Sequence, residues 1–235
     1  MRRFIVVFGL LLCGSLLYTA AAQDSVTNEV PPISYGETVK VAFAAPNAAI
    51  TLPFEGRFGD VLRVTVENLD GAQTRLQLVD PAGRPRFAGP VDPVNNPRVN
   101  DLVLFTTGTH RLVLTTANET VGTANVTLLR DDLPLLRAEG SLLTFDEGRG
   151  QQFARYVGDP GVNITVNMTF IEGESRYPSM TIYAEDAAPI MVSGLDAEAL
   201  IINLNLPETG EIVVQFQHLL FSDAVYRVIA GLPVG

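Results

Sequence analysis

Apolar and polar residues alternate along most of this chain with a period of two. In Val61-Leu62-Arg63-Val64-Thr65-Val66-Glu67, Leu62, Val64 and Val66 fall on one side and Arg63, Thr65 and Glu67 on the other. Successive side chains of a β-strand point to opposite faces, so the pattern predicts strands with one buried and one wet face, as in antiparallel sheets. Short runs of β-branched and aliphatic residues bounded by Gly, Pro, Asn and Asp recur throughout. They fall at residues 38–43, 49–54, 61–68, 75–79, 102–105, 110–115 and 125–129, then at 141–145, 152–157, 162–171, 179–184, 199–204, 211–217 and 225–230. Almost nothing beyond residue 22 has helical periodicity. Roughly seven such strands per hundred residues, with turn signals between them, predict β-sandwiches.

The two sets of runs follow one plan. Phe58-Gly59-Asp60-Val61-Leu62-Arg63-Val64 is answered about a hundred residues later by Val157-Gly158-Asp159-Pro160-Gly161-Val162-Asn163-Ile164. Thr107-Gly108 precedes one late strand and Thr209-Gly210 the other. Solenoid units run roughly 20–50 residues, so this longer period predicts two copies of one domain. Asp131-Asp132-Leu133-Pro134 marks the boundary, because the charges end a strand and the proline cannot donate to a sheet. The expected organisation is a first sandwich over 23–132 and a second over 133–235. The loop at 83–100, with Pro85, Pro90, Pro93 and Pro97, is expected to be the longest irregular stretch.

Residues 1–22 read as a secretory signal peptide. Arg2-Arg3 form the positive end, Phe4 to Leu12 the apolar run, and Ala20-Ala21-Ala22 the small residues before cleavage. Their removal takes away Cys13, the only cysteine, so the mature chain has no thiolate chemistry and no disulfide. The formal charge of −10 becomes −12 when Arg2 and Arg3 are lost, and Lys40 is the only lysine. Such an acidic chain is a poor ligand for nucleic acid, whose binding rests on basic contacts. No membrane insertion of the mature chain is expected.

Three segments resemble a known family. Thr51-Leu52-Pro53-Phe54-Glu55-Gly56-Arg57-Phe58-Gly59-Asp60-Val61-Leu62-Arg63-Val64 looks like the opening of bacterial pre-peptidase C-terminal (PPC) domains. Arg75-Leu76-Gln77-Leu78-Val79-Asp80-Pro81-Ala82-Gly83 resembles their next strand and Asp-Pro-x-Gly turn, and Gly108-Thr109-His110-Arg111-Leu112-Val113-Leu114 their late strand. The second copy is similar through Gly158-Asp159, the stretch 179–186 and Gly210 to Val214. The chain departs from the family at Gln73-Thr74-Arg75, where acidic residues are frequent, and at His110, where tyrosine is frequent. The resemblance implies an all-β chain of two tandem jelly-roll-like antiparallel β-sandwiches, the second divergent. It also implies an accessory role in secretion, targeting or substrate binding, with a secreted peptidase as one partner.

The inventory of reactive groups is thin, and no catalytic residue or cofactor site is assigned. There are two histidines, His110 and His218, and both are expected to be half-exposed strand residues. Calcium, which accepts oxygen ligands from irregular loops, is the metal for which the chain offers donors. Glu172 and Glu174, flanking Gly173 in an expected turn before Arg176, are the metal candidates, ahead of Asp131-Asp132, Asp146-Glu147 and Glu185-Asp186. Tryptophan is absent, and Tyr177 and Phe87 are the aromatics expected to be exposed on loops. The Asn-x-Thr triplets at Asn118, Asn125, Asn163 and Asn167 fall mostly in strand-like runs and are read as strand threonines. The expected function is that of an exported, non-catalytic accessory contacting an extracellular protein or polysaccharide. A self-assembling component of the cell envelope is the alternative.

Overall fold

The structure, a computed structural model, describes residues 28–232 except 30, 89–96, 146–149, 174–176, 186 and 219–222. Residues 1–22, expected from the sequence to be a signal peptide, lie outside the described residues. The described residues form 17 strands and no helix, so none is long and apolar enough to cross a membrane.

The first half contains β1 (Asn28–Glu29), β2 (Glu37–Phe43), β3 (Ala49–Gly56), β4 (Val61–Leu69), β5 (Thr74–Val79), β6 (Pro85–Ala88), β7 (Arg98–Val103), β8 (Gly108–Thr116) and β9 (Gly122–Asp131). The second half contains β10 (Ser141–Phe145), β11 (Gln151–Val157), β12 (Asn163–Gly173), β13 (Pro178–Tyr183), β14 (Ile190–Ser193), β15 (Ala199–Asn205), β16 (Glu211–His218) and β17 (Ala224–Gly231). Strand order is β1-β3-β8-β5-β6 and β2-β9-β4-β7 in the first half. In the second it is β11-β16-β13-β14 and β10-β17-β12-β15. Adding eight to each label from β2 to β9 converts the first arrangement into the second, with β1 as the one addition. The repeat read from the sequence is thus a repeat of topology: all-β, two antiparallel sandwiches in tandem.

Alternation builds each core. Leu62, Val64 and Val66 of β4 are fully buried, as are Ile164, Val166 and Met168 of β12. One cluster, centred on Phe54, Leu52, Leu112 and Val126, draws only on residues 33–128. The other, centred on Phe216, Tyr226, Ile164 and Phe145, draws only on residues 136–230. The turn before β16 needs glycine at position 210. Its φ is +68°, and a Cβ there would collide with the Gly158 carbonyl.

A third, smaller cluster joins the halves. Phe58, Val61, Val103 and Leu133 pack with Val213, and the Phe105 ring stacks on Tyr183 with centroids 4.0 Å apart. The Thr107 N–H donates to Glu185 Oε1 at 2.8 Å across this seam. Gly59, at φ +83°, lies where a Cβ would sit 3.1 Å from Glu211 Oε1. Three strands were not foreseen: β1, and the edge strands β6 and β14. The expected loop at 83–100 is in part ordered, since β6 and the start of β7 fall within it.

Candidate binding face

The outer face of the sheet β10-β17-β12-β15 is built by the same alternation that fills the second core. With Ile164, Val166 and Met168 turned inward, Asn163, Thr165, Asn167 and Thr169 of β12 point out. On β15, Leu200 and Ile202 are buried, which leaves Ala199, Ile201, Asn203 and Asn205 outward. On β17, Tyr226, Val228 and Ala230 are buried and Arg227, Ile229 and Gly231 face out.

Register aligns these residues in rows across the sheet. Asn205 sits beside Asn163, Asn203 beside Thr165 and Gly231, Ile201 beside Asn167 and Ile229, and Ala199 beside Thr169 and Arg227. Three consecutive rows carry no charge, and the first is met at Arg227, whose guanidinium donates to the Glu139 carbonyl at 3.1 Å. Two hydrogen bonds run within rows and a third links neighbouring rows. The Thr165 hydroxyl donates to Asn203 Oδ1 at 2.6 Å, the Asn163 amide to Asn205 Oδ1 at 3.1 Å, and the Thr169 hydroxyl to Asn167 Oδ1 at 3.1 Å. The carbonyl oxygens of Asn167 and Asn203 are engaged in these bonds, and each side chain also carries an amide N–H donor group. Ala138, Leu232 and these strands enclose a trough of about 670 Å³ over Thr165, Asn167, Asn203 and Ile229. The site is a shallow, neutral groove that can hydrogen-bond hydroxyl or amide groups and cover apolar surface with Ile229 and Leu232.

The residues singled out in the sequence land elsewhere. Glu172 lies within β12 rather than in a turn, exposed, at a register shift between Phe170 and Glu172 where it pairs with Val225. Glu174 and Arg176 lie outside the described residues, as do Asp146-Glu147 and Asp186. Asp131 is held by Arg63, and with Asp101 and Asp132 it lines a cleft of about 710 Å³ along the seam. Among the described residues no group of three His, Cys, Asp or Glu is placed to hold a metal ion. Tyr177 and Phe87 are half-buried, and Phe87 packs against the first core, so neither is the exposed aromatic expected.

Both histidines correct the sequence reading: they are buried, not half-exposed. His110 stacks on Phe54 with centroids 5.4 Å apart, and its Nδ1 lies 3.0 Å from the Gly108 carbonyl. His218 Nδ1 lies 3.0 Å from the Tyr226 hydroxyl. Burial holds both imidazoles below their ordinary pKa and so favours the neutral ring.

Two aspartates at turns turn out to organise the first sandwich. Asp60 Oδ2 accepts from the Tyr35 hydroxyl at 2.8 Å and the Arg57 N–H at 2.9 Å, while Arg130 lies 3.5 Å from Oδ1. Burial, and then the bond to Asp60, push the Tyr35 phenol well above its ordinary pKa. Asp80, 1 % exposed, accepts from the Arg84 N–H, Arg84 Nε and Arg86 Nε at 2.8, 2.9 and 3.0 Å. Burial alone would raise its pKa, but these bonds and the two guanidiniums outweigh it and hold the carboxyl below the usual range.

No family model matches the chain, and no curated protein matches it. Solved structures with which it shares a likeness include the pre-peptidase C-terminal domain of collagenase from Bacillus anthracis. That likeness is at 15% identity and a TM-score of 0.36 over 43% of this chain and 95% of that one. The CBM22-1–CBM22-2 tandem domain of Paenibacillus barcinonensis Xyn10C is 9% identical, with a TM-score of 0.27 over 77% of this chain and 82% of that one. The CUB1-EGF-CUB2 domains of rat MASP-1 are 8% identical, with a TM-score of 0.26 over 86% and 99%.

Proposed function

We propose that this chain is an exported, non-catalytic accessory protein that binds an uncharged polysaccharide outside the cytoplasm through the outer face of its second sandwich. The observation that supports the reading is a set of three neutral amide, hydroxyl and aliphatic rows on a molecule whose formal charge is −10. An acidic molecule repels anionic polymers, whereas sugar hydroxyls both donate to and accept from amides and hydroxyls. Ile201 and Ile229 supply aliphatic surface for the apolar faces of sugar rings. Export is supported by the charged, apolar and small-residue order of residues 1–22.

The test is co-sedimentation of residues 23–235 with insoluble cellulose, chitin and a neutral glucan. The paired change Asn167→Ala and Asn203→Ala removes two donors, each worth about 1 kcal/mol. It is expected to weaken retention by roughly tenfold or more while the melting temperature stays put. Failure of every neutral polysaccharide to retain the protein, or retention indifferent to the paired change, refutes the assignment.

A further inference from the structure

β14 is the outermost strand of the sheet β11-β16-β13-β14 and, among the described residues, pairs on one side only, through Met180–Val192, Thr181–Met191 and Ile182–Ile190. An edge strand presents unpaired backbone N–H and C=O groups along its other side, and proteins blunt such edges with prolines and charges. The counterpart edge in the first sandwich, β6, is blunted in this way by Pro85 and by Arg86, whose Nε binds Asp80 at 3.0 Å. β14, Ile190-Met191-Val192-Ser193, has neither device within the strand, Pro189 standing just before it.

Its side chains are also unfinished. Met180 and Ile182, buried in the core at 0 % and 2 %, face Val192 and Ile190 across the sheet. Ile190 and Val192 therefore project toward the same interior, yet Ile190 remains 47 % exposed, with Met191 and Leu195 at 70 % and 68 %. Among the described residues, nothing fully covers Ile190 along this flank. A strand laid on β14 would continue the hydrogen-bond ladder and place an apolar side chain beside Ile190.

Charge selects the occupant. Residues 187–195 carry no charge, but Glu185, which also accepts from the Thr107 N–H, precedes them and the exposed Asp196 follows. We propose that β14 is a docking edge for an extended segment of another protein, apolar at alternate positions and bearing Lys or Arg at its ends. Two-fold pairing with a second copy would set the edge of one acidic chain against another and bring these carboxylates toward their own equivalents.

The test uses the full mature chain and two short synthetic peptides of alternating valine and threonine, one ended by lysines and the other by glutamates. The lysine peptide is expected to bind at least tenfold more tightly and to slow amide exchange in residues 190–193. Ile190→Lys is expected to reduce that binding tenfold or more without altering binding to polysaccharide. Asp196→Lys, which lies outside the strand, is expected to reduce the preference for the lysine peptide. Equal binding of both peptides, binding of neither, or slowed exchange elsewhere overturns the proposal. So does dimerisation of the chain alone with protection at β14, which would make the second copy the occupant.

Discussion

The two sandwiches share a topology strand for strand and treat their surfaces in opposite ways. On the outer face of β2-β9-β4-β7, Lys40, Asn125 and Glu67 form one row, and Arg63 reaches Asp131 in another. The corresponding face of the second sandwich is neutral over three rows. Of the large apolar residues exposed among the described ones, Val121 alone lies ahead of the linker, while Leu142, Ile171, Met191, Leu195 and Ile201 lie in the second copy. Buried polar groups show the reverse. Asp60 and Asp80 are sequestered in the first copy, whereas Asp159, the counterpart of Asp60 after its glycine, is exposed. Inward positions and turn glycines specify this topology, so the outward positions of a second copy are at liberty to acquire another use.

Truncating one large core ring in each copy tests how separate the copies are. Phe54→Ala and Phe216→Ala, at 2 % and 0 % exposure, are each expected to cost about 3–5 kcal/mol. In native-state hydrogen exchange, Phe216→Ala should release the amides of β10 to β17 and leave those of β2 to β9 protected. Simultaneous release would show that the seam around Phe105 and Tyr183 fuses both copies into one cooperative unit.

The two Gly-Asp turns offer a sharper contrast. Asp60→Ala strips the acceptor from the Tyr35 hydroxyl and the Arg57 N–H and is expected to cost about 2–3 kcal/mol. Asp159→Ala, at an exposed turn, should stay within about 0.5 kcal/mol of the parent. Urea unfolding of both variants measures the difference, and similar costs would void the contrast.

Acid should affect both copies, since each buries one histidine. A histidine whose folded pKa is depressed contributes stability that is complete above its ordinary pKa of about 6.5 and is lost as pH falls below it. Glu211 acts in the opposite sense. Burial raises its pKa despite Arg155, so ionisation costs stability as pH rises through the folded value. The melting temperature is therefore expected to fall by a few degrees between pH 7 and 5, and His110→Phe should flatten part of that fall.

The smallest expected effect is a gain. The Thr116 hydroxyl is buried and has no hydrogen-bond partner among the described residues, so Thr116→Val, of similar shape, should stabilise the first sandwich by up to about 1 kcal/mol. A loss on thermal melting would show that the hydroxyl is satisfied in solution.

Much of the fold was legible because alternation is a local signal. β4, β8 and β16 were each placed to within two residues. β6 and β14 were missed because each has four residues and stands at or beside a proline, Pro85 or Pro189, where no period can register. The histidines were legible and misread: His110 shares its side of β8 with the buried Leu112 and Leu114, and His218 shares its side of β16 with Phe216. The binding face was half visible, since Asn163, Thr165, Asn167 and Thr169 stand two apart. Their neighbours on β15 and β17 are far away in sequence, and no local pattern announces such pairing. Glu172 was placed in a turn because Gly173 ends the apolar run, but the irregular register at Phe170/Glu172 carries the strand through that glycine.

Lys40 projects from the outer face of the first sandwich and is the only side-chain amine in the chain. Coupling through lysine therefore attaches every molecule to a surface by the same point. The second sandwich, with its neutral rows and the β14 edge, offers no lysine to such chemistry, so immobilised material would present both proposed docking surfaces in one uniform orientation.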